Sequence, residues 1–180
     1  MRSFLAIAVP EEAAAAIGRL QGQLRVGHPL PPENLHLTLA FLGDQSGPAL
    51  EELHFCLERL SAPGFDVEFG PLGSFGHPEP GSIHAEVRLT PELAALHRSV
   101  QGALHSAGLQ TERRRFRPHI TIARLPHRMT GDETAALLRF LTTFAAAPLP
   151  SFPARALTLF RSHLRPEGAI HEPLADYPLG

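Results

Sequence analysis

The sequence contains no lysine, because all 16 of its basic residues are arginines. Without a lysine amine, a mechanism that forms a covalent lysyl-nucleotide intermediate is excluded.

The only cysteine, Cys56, rules out an internal disulfide, fits a reducing compartment and is expected in the core. No apolar run approaches the ~18 residues that a transmembrane helix needs. Pro10 breaks the apolar start at 2–9, so we interpret this segment as a first strand and expect a cytoplasmic protein without a membrane segment.

Strong charge of either sign is also missing. The formal net charge is −2, so a broad basic surface for long nucleic acid is excluded and any anion site must be local. The chain lacks a glycine-rich phosphate loop, a G-x-G-x-x-G fingerprint and a zinc-binding spacing, so we predict neither a cofactor nor a metal. A length of 180 residues predicts one domain, or two lobes sharing a core, and we expect a monomer.

The sequence contains one repeated pattern, His-x-Thr-apolar. It occurs at His36-Leu37-Thr38-Leu39 (36–39) and at His119-Ile120-Thr121-Ile122 (119–122), each time within a short apolar run. Chance predicts on the order of 0.1 such matches in a chain of this composition. On a strand, residues two apart share a face, so each His and Thr should point away from a core filled by the apolar residues.

A pair of histidines suits acid–base chemistry on a phosphodiester, because one imidazole can take a proton while the other gives one. Thr38 and Thr121 can donate hydrogen bonds to phosphate oxygens, and Arg124, five residues after His119, can add charge-assisted contacts. Two alternatives stay open: both motifs can be ordinary half-buried strands, and Arg124 an ordinary surface residue. The cluster Arg113–Arg115 with Arg117 fits a solvated segment somewhat better than a patch that attracts phosphate.

Periodicity predicts mixed helices and strands with short links, about four helices and seven or eight strands. The Gly- and Pro-rich stretch 70–81 is expected to be a loop or an interrupted edge strand. Predicted helices cover 10–24, 48–60, 91–107 and 131–144, and predicted strands cover 2–9, 35–42, 65–69, 82–89, 116–125, 154–163 and 170–178. Each motif strand follows one helix and precedes another, which suggests two similar halves that meet at the motif strands.

The segments Asn34–Gly43 and Arg117–Arg124 resemble the paired signatures of the two-histidine phosphoesterases. The most similar branch is the bacterial RNA 2′,3′-cyclic phosphodiesterases, also called 2′-5′ RNA ligases. The resemblance extends over most of the chain and includes Gly73–Phe75 and Ser162–Gly168. It implies a bilobal α+β fold over 1–180, with two antiparallel sheets and flanking helices related by a pseudo-two-fold around a central groove.

The resemblance also implies the chemistry: hydrolysis of an RNA 2′,3′-cyclic phosphate to a 2′-phosphate without a metal. His36 would give a proton to the departing 3′-oxygen, His119 would activate water, and Thr38, Thr121 and Arg124 would hold the phosphate. The residues by themselves do not say which histidine is the acid. The chain departs from the family in having no tryptophan, with His84 where a Trp is common and His171 where a Tyr is common.

Three functions fit the sequence. The first is a metal-free cyclic phosphodiesterase acting on RNA ends or on a small cyclic nucleotide. The second is an RNA ligase that forms 2′-5′ links, which is the same chemistry reversed. The third is a non-catalytic RNA-binding module, which would bind without turnover and tolerate loss of either histidine. The presence of both histidines and both threonines favours an enzyme.

Overall fold

A computed structural model of the protein describes residues 1–76, 79–110, 115–165 and 168–180. This part of the chain contains four α-helices, ten β-strands and one short 3₁₀ turn at Pro32–Asn34. The helices are α1 (Glu11–Gln21), α2 (Gly47–Glu58), α3 (Pro91–Ser106) and α4 (Gly131–Phe144). The strands are β1 (Arg2–Ala8), β2 (His28–Pro29), β3 (His36–Asp44), β4 (Phe65–Val67), β5 (Phe69–Phe75), β6 (Ser82–Val87), β7 (His119–Arg124), β8 (Phe152–Ala154), β9 (Ala156–Arg165) and β10 (Gly168–Pro178).

The α+β class predicted from the sequence is confirmed. The main antiparallel sheet has eight strands in the order β10-β9-β1-β3-β7-β6-β5, with β2 beside β7, and β4 pairs with β8 in a small second sheet. The two antiparallel halves expected around a groove are joined into this one sheet between β3 and β7. Leu37 opposite Ile120 is the register pair that joins them. The pseudo-two-fold and the single bilobal domain stay predictions.

Alternation along the motif strands decides which face carries the core. Leu37 and Leu39 on β3, and Ile120 and Ile122 on β7, are buried in one cluster with the apolar sides of all four helices. The residues between them are half-buried on the other face of the sheet. The helices therefore cover one face, and the polar motif residues lie on the opposite face.

The bounds predicted for α4 (131–144) and α3 (91–107) agree with the structure to within one residue. Thr130 caps α4 through its side chain, and Glu133 completes the capping box by accepting a hydrogen bond from the Thr130 backbone at 2.7 Å. Gly108 follows the end of α3 with a φ of +70°, a conformation that favours glycine.

The stretch 70–81 differs most from a simple strand pattern. Phe69–Phe75 forms the edge strand β5, and its pairing with β6 is irregular between Phe69 and Leu72, around Pro71. An edge strand tolerates proline because one side of its backbone needs no partner strand. His77, also in this stretch, lies outside the described residues.

Shortening the side chains that join the two halves should destabilise the fold. Leu37 and Ile120 are both fully buried, so Leu37→Ala or Ile120→Ala should cost about 2–5 kcal/mol of unfolding free energy. Urea unfolding monitored by circular dichroism measures this cost. Leu89→Ala is the control: Leu89 is exposed, so its loss should change stability by less than about 0.5 kcal/mol. Equal effects at the buried and exposed positions would contradict the assigned core.

Candidate active site

All five site residues predicted from the sequence line one groove. The groove has a volume of about 790 Å³ and lies on the face of the sheet opposite the helices. The predicted residues in its wall are His36, Thr38, His119, Thr121 and Arg124. None of the described lining residues is a carboxylate, whereas Arg2 and Arg124 bring positive charge. The groove therefore favours an anionic ligand although the whole chain is slightly acidic.

The antiparallel pairing of β3 with β7 places the histidine of each motif opposite the threonine of the other. Because Leu37 pairs with Ile120, the same register places His36 opposite Thr121 and Thr38 opposite His119. Each imidazole thus lies across from the threonine of the other motif. A ligand bound between the strands would meet a ring and a hydroxyl from each side.

A β-bulge follows the threonine in both motif strands. In β3, Ala6 of β1 pairs with Thr38 but Leu5 pairs with Ala40, so Leu39 is the extra residue. In β7, His84 pairs with Thr121 but Ile83 pairs with Ala123, which leaves Ile122 as the extra residue. A bulge reverses the alternation beyond it.

The bulges decide where the next exposed side chains point. Strict alternation from His119 would put Arg124 on the core face, yet Arg124 is exposed and lines the groove. Phe41 holds the matching position on β3, five residues after His36, and is also exposed there. The sequence named Arg124 as a candidate for phosphate binding and left open that it is an ordinary surface residue. It did not single out Phe41, since a bulge has no clear signal in one sequence.

Each motif histidine forms a hydrogen bond with the backbone two residues earlier. The Nδ1 of His119 donates to the carbonyl oxygen of Arg117 at 2.7 Å, two residues earlier. His36 hydrogen-bonds the backbone of Asn34, again two residues earlier. A carbonyl only accepts, so the Nδ1 of His119 carries the hydrogen and Nε2 is left for proton transfer.

His36 belongs to an aromatic cluster on the β10-β9-β1-β3 half. The Phe4 ring lies 4.8 Å from the His36 ring and stacks on Phe160 at 5.1 Å. His171 on β10 meets His36 edge to face at 5.2 Å and also lines the groove. The sequence singled out His171 only as a departure from the family, because nothing local links it to His36.

A similar cluster surrounds His119 on the other half. Phe75 contacts His119 edge to face at 4.7 Å and stacks on His84 at 3.9 Å. His84 is 1% exposed and lies 5.3 Å from the ring of His119. The guanidinium of Arg117 covers the Phe75 ring at 4.9 Å. Each motif histidine is therefore held between a phenylalanine and a second histidine.

Burial and positive neighbours keep these imidazoles neutral. Burial, repulsion by His171, and smaller effects of Arg124 and His119 lower the pKa of His36 to about 4. Burial also lowers the pKa of His119, aided by Arg117 and Arg124 and opposed by the hydrogen bond to the Arg117 backbone. The pKa of His84 falls to about 4 because of burial and of repulsion by His119 and Arg117. A bound anion would oppose these shifts.

The remaining sequence candidates have other positions. Arg113 and Arg114 lie outside the described residues. His105 is exposed on α3, whereas the ring of His97 on the same helix stacks on Phe116 at 3.9 Å. Cys56 is half-buried on α2, which is less buried than the core position expected.

In the described ranges, no three His, Cys, Asp or Glu side chains are grouped to hold a metal, and no helix is long and apolar enough to cross a membrane.

Two His-x-Thr strands facing one groove in an α+β fold define a two-histidine phosphoesterase. Residues 9–165 match the 2′-5′ RNA ligase superfamily. A Thermus thermophilus relative named RNA 2′,3′-cyclic phosphodiesterase is 31% identical, and the match covers 99% of this chain and 90% of the relative. The chain therefore belongs to the 2′-5′ RNA ligase superfamily and, within it, to the RNA 2′,3′-cyclic phosphodiesterase family.

Other relatives agree with this membership. The Archaeoglobus fulgidus protein of the same name is 28% identical over 97% of this chain and 98% of its own length. The Geobacillus stearothermophilus relative is 31% identical over 98% of this chain, but the match spans 56% of the relative's length. The crystal structure of E. coli LigT complexed with 3′-AMP has a TM-score of 0.79 at 26% identity, covering 99% of this chain and 97% of that one.

Proposed function

We propose that the protein hydrolyses 2′,3′-cyclic phosphate ends of RNA to 2′-phosphomonoesters, with His36 and His119 as acid and base. One observation carries the proposal: both histidines, both motif threonines and Arg124 line a single groove, with no carboxylate among its described lining residues. The relatives named RNA 2′,3′-cyclic phosphodiesterase support the choice of substrate.

In the proposed reaction, water attacks phosphorus in line with the bond to the 3′-oxygen. His119 accepts a proton from the water as the new P–O bond forms, and His36 gives a proton to O3′ as the P–O3′ bond breaks. The products are a 2′-phosphate and a free 3′-hydroxyl. Neutral His119 suits the role of base, because its Nδ1–H is held by the Arg117 carbonyl and Nε2 keeps its lone pair.

His36 needs a proton that the free protein does not hold at neutral pH. Its pKa of about 4 leaves the ring neutral until substrate arrives. The cyclic phosphate is an anion, and an anion beside an imidazole favours the protonated form. Substrate binding should therefore raise this pKa and protonate His36 in the complex.

The products of a single reaction distinguish the three functions. The protein is incubated with RNA ending in a 2′,3′-cyclic phosphate, with and without RNA bearing a 5′-hydroxyl, and the ends are identified by mass spectrometry and nuclease digestion. We expect 2′-phosphate ends. New 2′-5′ links as the main product would instead establish a ligase, and binding without turnover would establish an RNA-binding module. A 3′-phosphate end would contradict the proposed bond cleavage.

We also propose that the protein acts as a monomer in the cytoplasm and without a metal. The two imidazoles supply both proton transfers, so the mechanism needs no metal-bound water. The lone Cys56 and the absence of a disulfide fit a reducing compartment.

Turnover should accordingly survive chelation. We expect the rate in EDTA to stay within about twofold of the untreated rate, because no step of the proposed proton transfer uses a metal. The measurement compares initial rates before EDTA, after EDTA, and after addition of Mg²⁺ or Zn²⁺. Loss of turnover on chelation that a divalent ion restores would contradict the metal-free mechanism.

Removing single phosphate contacts should cost less than removing a histidine. Thr38→Ala or Thr121→Ala deletes one hydrogen bond to a charged oxygen, worth about 1.5–3 kcal/mol, so kcat/KM should fall roughly 10- to 150-fold. Arg124→Gln removes a charged hydrogen-bond donor, so kcat/KM for this variant should fall by the same factor or by more. Arg128→Gln is the matched control, because Arg128 is exposed and lies outside the groove lining. Unchanged kcat/KM in all three groove variants would remove these residues from phosphate binding.

A further inference from the structure

A second cleft opens beside the catalytic groove. Its volume is about 670 Å³, and it shares the wall residues Thr38, Phe41 and His119 with the groove, so the two spaces adjoin at these residues. Beyond these residues it is lined by Phe75, Phe116 and two arginines, Arg115 and Arg117. The proposed acid, base and phosphate-binding residues leave the rest of this cleft without a role.

The cleft walls have the chemistry of a site for a nucleobase and a phosphate. Phe41 is 60% exposed at the boundary between the two spaces. Phe116 is already stacked on His97, with an angle of 8° between the ring planes. Exposed aromatic faces beside arginines are how proteins bind single-stranded nucleic acid, since bases stack on the rings and the cations follow the backbone.

Charge favours the same occupant. None of the described residues lining this cleft is acidic, whereas Arg115 and Arg117 are both present. With a net charge of −2 for the whole chain, these arginines are a local concentration of positive charge. An occupant that combines an aromatic ring with a negative charge satisfies both kinds of wall.

The direction of RNA decides which nucleotide reaches the cleft. The nucleoside that carries the cyclic phosphate is joined directly to the reacting phosphorus, and the groove of about 790 Å³ is large enough to hold it. A cyclic phosphate ends the chain on its 3′ side, so RNA continues only through the 5′-oxygen. The next nucleotide must leave the groove through a neighbouring opening.

We propose that this second cleft binds the nucleotide on the 5′ side of the cyclic end, with its base stacked on Phe41 and its linking phosphate attracted by Arg115 and Arg117. The inference rests on the proposed function and narrows its substrate. The preferred substrate is then a single-stranded RNA end of at least two nucleotides, not a cyclic mononucleotide. The bulge at Leu39 is what turns Phe41 out toward this position.

The test compares two substrates in matched variants. kcat/KM is measured for adenosine 2′,3′-cyclic phosphate and for the cyclic-ended dinucleotide ApA. We expect the wild type to prefer the dinucleotide, and Phe41→Ala to lower the dinucleotide-to-mononucleotide ratio about 5- to 100-fold. Phe41→Trp should keep the ratio. Phe55→Ala is the control, because Phe55 is also 60% exposed but lines neither space.

Each other outcome overturns the inference. If Phe41→Ala lowered kcat/KM equally for both substrates, Phe41 would contact the terminal nucleotide rather than the next one. A ratio that did not change at all would show that the cleft does not bind the second nucleotide. Calorimetry with the 2′-phosphate products, adenosine 2′-phosphate and ApA 2′-phosphate, gives the corresponding ratio of affinities without turnover. A wild type that fails to hydrolyse either substrate would therefore refute the proposed function, while the binding ratio would still decide the occupant of the cleft.

Discussion

Replacing either His36 or His119 by alanine should lower turnover of a cyclic-ended RNA by roughly 10²–10⁴-fold, about 3–5 kcal/mol of activation free energy. Each variant loses one of the two proton transfers in the proposed reaction, and both residues line the same groove. Single-turnover rates at saturating enzyme measure the chemical step directly. His105→Ala and His127→Ala are matched controls, since both histidines are exposed and outside the groove lining, and both should keep the wild-type rate.

The double variant should be little worse than the slower single variant. Two groups that act in one concerted step lose most of their effect together, so their separate losses do not add. A double variant slower by the product of both factors would indicate independent roles. A folded His36→Ala or His119→Ala protein with nearly full turnover would refute the two-histidine mechanism for this chain.

A sulfur leaving group separates the acid from the base. When the 3′-oxygen of the cyclic phosphate is replaced by sulfur, the departing thiolate is stable without a proton, so the general acid becomes dispensable. The 3′-thio substrate should restore most of the rate of His36→Ala and little of the rate of His119→Ala. Rescue of His119→Ala instead would exchange the two assigned roles.

The sequence predicted the centre of the site because its signal is local. A His-x-Thr-apolar pattern on a strand sets the direction of both polar side chains, and the structure has His36 and Thr38, like His119 and Thr121, half-buried on one face. It also predicted the α+β class, because helix caps such as Thr130 and Glu133 are local too.

The surroundings of the site depend on long-range contacts and on irregularities. The bulges at Leu39 and Ile122 arise from pairing with neighbouring strands, so alternation alone gave no prediction for Phe41. His171 reaches His36 only because β10, β9 and β1 bring it beside β3. Leu37 opposite Ile120 joins halves that the sequence predicted as two sheets. None of these features can be obtained from spacing within one segment.

The same long-range contacts control ionisation, which makes pH dependence a test of the assembled site. kcat/KM follows ionisations of the free protein. In the free protein the pKa of His36 is about 4 and that of His119 is lowered from 6.5. The reaction needs one proton on the pair, so the profile should be bell-shaped, with its optimum below pH 6.5. The two limbs belong to the coupled pair rather than to either ring.

Above the higher of the two pKa values of the His36–His119 pair, the fraction of protein with one proton on this pair falls tenfold for each pH unit. Between pH 6.5 and 8.5, kcat/KM should therefore fall roughly 100-fold. In the complex, the bound phosphate anion favours the imidazolium form and raises both pKa values. The profile of kcat should consequently lie at higher pH than the profile of kcat/KM.

Initial rates from pH 4 to 9, with constant ionic strength, give both profiles. Circular dichroism at each pH is needed because the folded pKa values of His36 and His84 lie below the unfolded value of 6.5. The unfolded chain then binds more protons, so stability falls as the pH drops from about 6.5 to 4, and rates count only where the protein stays folded. A kcat/KM that is level from pH 5 to 8 would contradict a half-buried imidazole pair that gains its proton with the substrate. A kcat profile at lower pH than the kcat/KM profile would contradict it as well.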